Sequence, residues 1–110
     1  MRLIQTMTVS ALICAAGIVG AHADQIDGDW CHEDGRHLYI EGDAIRTPSG
    51  AETTGDYTRH AFRYDGVDGT PEAGQEIRMQ QFSDDDMRLI RIVGGTPRDP
   101  EQWRRCKPIA

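Results

Sequence analysis

Gly28-Asp29-Trp30-Cys31-His32-Glu33-Asp34-Gly35-Arg36-His37-Leu38-Tyr39-Ile40-Glu41-Gly42-Asp43-Ala44-Ile45 contains two glycine turn signals between runs of β-forming residues. How the apolar residues pair across those turns decides the fold. Side chains alternate faces along a strand, so only a register that collects apolar residues on one face can cover a core. With Glu33-Asp34-Gly35 as a three-residue loop and Gly35 left-handed, Trp30 falls opposite Leu38, and Ile40 lies further along that face. Gly42-Asp43 as a two-residue turn then pairs Ile40 with Ile45. Both hairpins agree on a single apolar face.

The pattern continues outward. From Asp24 on, no stretch sustains a 3.6-residue apolar period; short β-forming runs alternate with Gly, Asp and Pro, which is the all-β signature. Further turn signals fall at Asp65-Gly66, Asp68-Gly69 and Ser83 to Asp86. A four-residue turn at Ser83 to Asp86 pairs Met79 with Ile90 and Ile77 with Ile92, and it also sets Arg78 opposite Arg91, an unfavourable like-charge pair. Phe62 and Tyr64 share a face of a strand near Tyr57 to Tyr64, and Trp103 opens the last strand. Pro97 and Pro100 make Gly94 to Glu101 a loop. The expected fold is all-β: a small antiparallel meander of about seven strands, closed into a barrel or strongly curled sheet, which removes exposed edges.

The chain has 110 residues, 12 Lys+Arg against 18 Asp+Glu, and a formal net charge of −6. Phosphate binding requires a basic stripe, so nucleic acid is not the expected partner. Arg2 followed by the apolar Val9 to Ala21 and the small-x-small Ala21-His22-Ala23 reads as a secretory signal peptide over residues 1–23, cleaved near Ala23-Asp24. The mature chain, Asp24 to Ala110, has no apolar run of the ~20 residues a transmembrane helix needs. A single domain over 24–110 buries only about 60% of its unfolded surface, so its core alone is marginal. Cys14 leaves with the signal, and the remaining pair, Cys31 and Cys106, reads as one disulfide in an exported protein. Closing a loop of about 76 residues stabilises by roughly 4–5 kcal/mol on chain-entropy grounds. The expected location is periplasmic or secreted.

Gly28-Asp29-Trp30 at the first strand, together with Arg104 and Arg105 beside Trp103 in the last, resembles the lipocalin-like pattern. The resemblance implies that Trp30 closes one end of a barrel beneath an arginine of the final strand. The chain is shorter than is usual for that family, and a smaller barrel has less room for a ligand. The whole chain is also similar to small, uncharacterised exported proteins common in Gram-negative bacteria, which implies a periplasmic location and no particular activity.

Catalytic signals are sparse. A nucleophilic enzyme needs Ser, Cys or Thr beside an oriented base. Ser49 and Ser83 both stand in turn contexts, and no G-x-S-x-G elbow occurs. The carboxylates are numerous but carry no specific spacing. No cofactor is implied, and no catalytic residue is assigned. The histidines offer a metal reading: across a two-residue Asp34-Gly35 turn, His32 and His37 would face each other closely enough to share an ion, with His60 as a further ligand. The hydrophobic register favours the three-residue loop, which separates them. Asp84-Asp85-Asp86 lacks the EF-hand spacing and reads as an acidic hairpin tip. Arg104, Arg105 and Lys107 form a small basic patch.

The expected function is therefore a non-catalytic binding module, acting on a protein partner (as an enzyme inhibitor, for example) or on a small apolar ligand. The loops Thr47 to Thr54 and Gly94 to Glu101 are its expected recognition elements. The alternative is a periplasmic metal-binding protein using His32, His37 and His60.

Overall fold

The computed structural model describes residues 25–107; the signal-peptide reading of residues 1–23 lies outside them. Ten strands follow in chain order: β1 Gly28–Cys31, β2 His37–Glu41, β3 Ala44–Arg46, β4 Glu52–Thr54, β5 Asp56–Thr58, β6 Ala61–Asp65, β7 Gln75–Gln81, β8 Asp86–Val93, β9 Thr96–Pro97 and β10 Glu101–Arg105. The described residues contain no helix. Nine strands form one antiparallel path in the order β4-β3-β2-β1-β10-β8-β7-β6-β5, and β9 pairs with β8 off that path.

The fold is an antiparallel meander curled into a nearly closed barrel with one unsealed seam. The two ends of the path, β4 and β5, are consecutive in the chain and separated only by Gly55. The Gly55 N–H still donates to the Asp43 carbonyl at 2.9 Å, beside β3, and the next residue, Asp56, already pairs with Arg63 of β6. One bent segment therefore belongs to both edges of the sheet, and the wall is closed there by covalent continuity rather than by a ladder. Gly55 has to be glycine because a Cβ would overlap the Arg63 carbonyl oxygen and crowd the Phe62 ring.

The first hairpin has the expected register, Trp30↔Leu38 and Cys31↔His37, with Gly35 at φ 98°. The second pairs Ile40 with Ile45 around Gly42 at φ 57°. Phe62 and Tyr64 both point inward from β6.

Three expectations need correction. The count of about seven strands is too low, partly because the run from Tyr57 to Tyr64 breaks at 59–60 into β5 and β6, paired by Tyr57↔Phe62. Within the loop expected over Gly94 to Glu101, Thr96 and Pro97 pair with Val93 and Ile92; Pro97 is tolerated there because β9 is an edge strand. The β7–β8 register is shifted by one residue, with Met79↔Leu89, Ile77↔Arg91 and Arg78↔Ile90. Gln81 pairs with Met87, so residues 82–85 connect the two strands and Phe82 is left exposed. This slip parts Arg78 from Arg91, directs Met87 and Leu89 inward, and turns Ile90 and Ile92 outward.

Among the described residues, twelve apolar side chains fill the interior, from Ile26 and Trp30 to Leu89 and Trp103, each no more than 3% exposed. A barrel of about eight strands is just wide enough for side chains to fill it. Cys31 and Cys106 are joined, with Cα atoms 5.0 Å apart and a sequence separation of 75. The bond ties β1 to the residue that follows β10, its neighbour in the sheet.

Candidate functional site

Alternate connections of a meander lie at the same end, and the two ends of this barrel differ. One end carries the tight turns 42–43 and 59–60, the β7–β8 connection, and residues 25–27. Those N-terminal residues seal it. Ile26 is fully buried, its N–H donates to the Arg59 carbonyl at 2.8 Å, and its carbonyl accepts from Trp30 Nε1 at 2.8 Å. Asp27 accepts from the Gly42 N–H at 2.8 Å and from the Tyr57 hydroxyl, and that hydrogen bond, with burial, pushes the Tyr57 phenol up to about 12. The Arg105 guanidinium lies 4.1 Å from the Trp30 ring centroid and donates to the carbonyls of Gln25, Asp27 and Asp84. Arg104 points elsewhere, to Asp86 at 3.1 Å.

The opposite end, the rim, is formed by the connections 32–36, 47–51, 66–74 and 94–100, and a polar network crosses it. The loop 66–74 folds inward by successive turns. Gly66 lets it do so, since a Cβ there would overlap the backbone of Glu72. Glu72 is thereby buried over the barrel mouth. It accepts from the Tyr64 hydroxyl at 2.7 Å and from Arg91 Nη1 at 2.6 Å. Arg91 Nε also reaches Glu101 at 3.3 Å. Glu101 in turn accepts from Arg36 Nη1 at 3.0 Å and from Trp103 Nε1 at 3.1 Å. Arg36 sits 5.2 Å from the Trp103 centroid and bonds Asp34 at 2.8 Å.

A buried charge must be paired and hydrogen-bonded to be tolerated, and here each charge has such a partner. Burial, followed by the Glu72 carboxylate, raises the Tyr64 phenol far above its usual range, so it remains a donor. Burial pulls Glu101 up, but the Trp103 donor and the Arg91 and Arg36 guanidiniums outweigh it and hold the carboxyl below its ordinary 4.5. A carboxyl lowered on folding stabilises the native state above its unfolded value, and that stability is lost as pH falls through the folded value. The urea midpoint should therefore drop as pH is lowered below about 4.5, and Glu101→Gln should flatten that part of the profile; an unchanged profile would show that Glu101 does not couple to folding.

Beside this network lies a cleft of about 330 Å³ lined by Arg36, Pro48, Ser49, Pro71, Glu72, Gln75 and Arg91. It draws Pro48 and Ser49 from the expected recognition loop Thr47 to Thr54. That loop is pinned by Thr47 N–H to Ala51 O at 2.7 Å and Gly50 N–H to Thr47 O at 2.8 Å, and Thr47 itself is buried. Gly94 to Glu101 reaches the same end and contributes Glu101 to the network.

The three histidines go to separate partners. His32 Nδ1 lies 2.9 Å from Asp34 with its ring edge-on to Trp103, His37 lies 2.7 Å from Asp29, and His60 lies 3.1 Å from Gln81. No group of three or more His, Cys, Asp or Glu side chains within reach of one ion occurs among the described residues. Arg104, Lys107 and the disulfide border a separate outer groove of about 630 Å³. Sequence reasoning missed Glu72, Arg91 and Tyr64 as a unit. The one signal that could have exposed them is the Arg78–Arg91 conflict, which marked the register as wrong. No protein-family model, curated protein or solved structure gives a significant match to this chain.

Proposed function

We propose that the protein is a non-catalytic binding module, exported to the periplasm or secreted, that recognises a protein partner through the loops at its rim. The observation that carries this reading is the contrast between the ends: one is plugged by Ile26 and capped by Arg105, whereas the other presents a cleft among three of its four connections. The side-chain-filled interior favours recognition at the surface over carriage of a ligand along the barrel axis. Loops held by hydrogen bonds and buried ion pairs lose little conformational freedom on binding, which suits an inhibitor of an exported enzyme. The disulfide fits the same oxidising location.

Site-specific photo-crosslinking tests it. A photoreactive residue at Ser49, on the rim, should capture a discrete protein from periplasmic extract, and the same residue at Asp43, at the sealed end, should not. Equal capture from both positions, or from neither, would overturn the assignment.

A further inference from the structure

We infer that the rim cleft is a carboxylate site and, resting on the reading that the rim engages a partner protein, that it receives a carboxylate of that partner. At the cleft, guanidinium donors remain where the carboxylates are already engaged. Every carboxylate oxygen at the cleft already accepts at least one hydrogen bond: the two Glu72 oxygens accept from Tyr64 and Arg91, and Glu101, behind them, accepts from three donors.

The donors are not used up. A guanidinium offers five N–H groups in a fixed fork. Arg36 spends Nε on Asp34 and Nη1 on Glu101; Arg91 spends Nε on Glu101 and Nη1 on Glu72, with a longer contact to Gln75. Among the described residues neither Nη2 has an acceptor. Both arginines line the cleft, as does the exposed Ser49.

Asp34, Glu72 and Glu101 already balance the two guanidiniums, so it is the unspent N–H donors, not net charge, that favour a carboxylate, and planar guanidinium forks match one geometrically. Both arginines are already held by their own ion pairs, Arg91 being only 17% exposed, so little side-chain freedom remains to be lost. Pro48 and Pro71 provide apolar walls. A volume of about 330 Å³ is at the lower limit for small-molecule pockets and fits a chain terminus or a single acidic side chain.

The test follows the arginine Nε–Hε resonances of the 15N-labelled protein during titration with three probes: N-acetyl-alanine, with a terminal-type carboxylate; N-acetyl-aspartic acid α-amide, with a side-chain carboxylate; and N-acetyl-alanine amide, with none. Saturable shifts of Arg36 and Arg91 with a carboxylate probe, while Arg46 and Arg98 stay fixed, are expected, and the probe that saturates first tells a chain terminus from an acidic side chain. Arg36→Gln should weaken that binding by about tenfold, the loss of one charge-assisted pair. Equal shifts with the amide, equal shifts at every arginine, or none at all would overturn the site. Carboxylate binding without crosslinking at Ser49 would overturn the protein-partner reading alone, and crosslinking without carboxylate binding would overturn the carboxylate assignment alone.

Discussion

Gly55→Ala is expected to lower stability by about 3 kcal/mol or more, beyond the usual cost of one extra methyl in a packed region. The added carbon would overlap the Arg63 carbonyl oxygen, which belongs to backbone and cannot rotate away. Relief requires the segment to leave β6, and that opens the barrel at the point where the chain alone closes it. A domain of this size has roughly 4–13 kcal/mol in total, so the loss is a large fraction. Urea unfolding followed by the fluorescence of the buried Trp30 and Trp103 measures it. Gly50→Ala is the control: at φ 90° it carries left-handed strain, but a Cβ there meets nothing within 4 Å, so it should cost about 1 kcal/mol. Equal losses for the two variants would show that closure at the seam is not the sensitive point.

Removing the staple is expected to have a comparable effect. Cys31→Ser with Cys106→Ser abolishes a crosslink between residues 75 positions apart, for which the loop-entropy argument gives roughly 4–5 kcal/mol. In a domain this small each kcal/mol moves the melting temperature by about 4–8 °C, so the midpoint should fall on the order of 20 °C. Melting unchanged within a few degrees, or two free thiols in the oxidised wild-type protein by mass spectrometry, would refute the crosslink. The two variants act on opposite parts of the wall: Gly55 lies at the seam, and the disulfide reinforces the β1–β10 junction that joins the N- and C-terminal strands.

In the β7–β8 hairpin the apolar pattern does not discriminate between registers. Along Met87-Arg88-Leu89-Ile90-Arg91-Ile92, Met87 and Leu89 lie on one face and Ile90 and Ile92 on the other. Each face offers two apolar residues, so a one-residue slip leaves the apolar count unchanged. In the first two hairpins, by contrast, Trp30, Leu38, Ile40 and Ile45 collect on one face only in the register that forms. The register expected for β8 places Arg91 on the outer surface, whereas the register that forms, Ile77↔Arg91, turns it toward the barrel mouth. Glu72 and Glu101, 19 and 10 positions from Arg91, pair with it in the folded chain. No local period links residues at those separations; they meet because the loop 66–74 folds over Gly66 and because β8 and β10 are adjacent.

The sequence by itself determined the all-β class, the first two registers, the turn glycines and the cysteine pair, since each follows from local backbone preference, side-chain alternation or the small number of thiols. Only the tertiary structure decided that β4 and β5 are the two edges of one sheet, that Ile26 seals one end, and that Arg36, Glu72, Arg91 and Glu101 gather at the other. The physical reason is that curling the sheet brings distant segments together at its rims, where burying a charge is tolerable only beside the partners that the closed wall supplies.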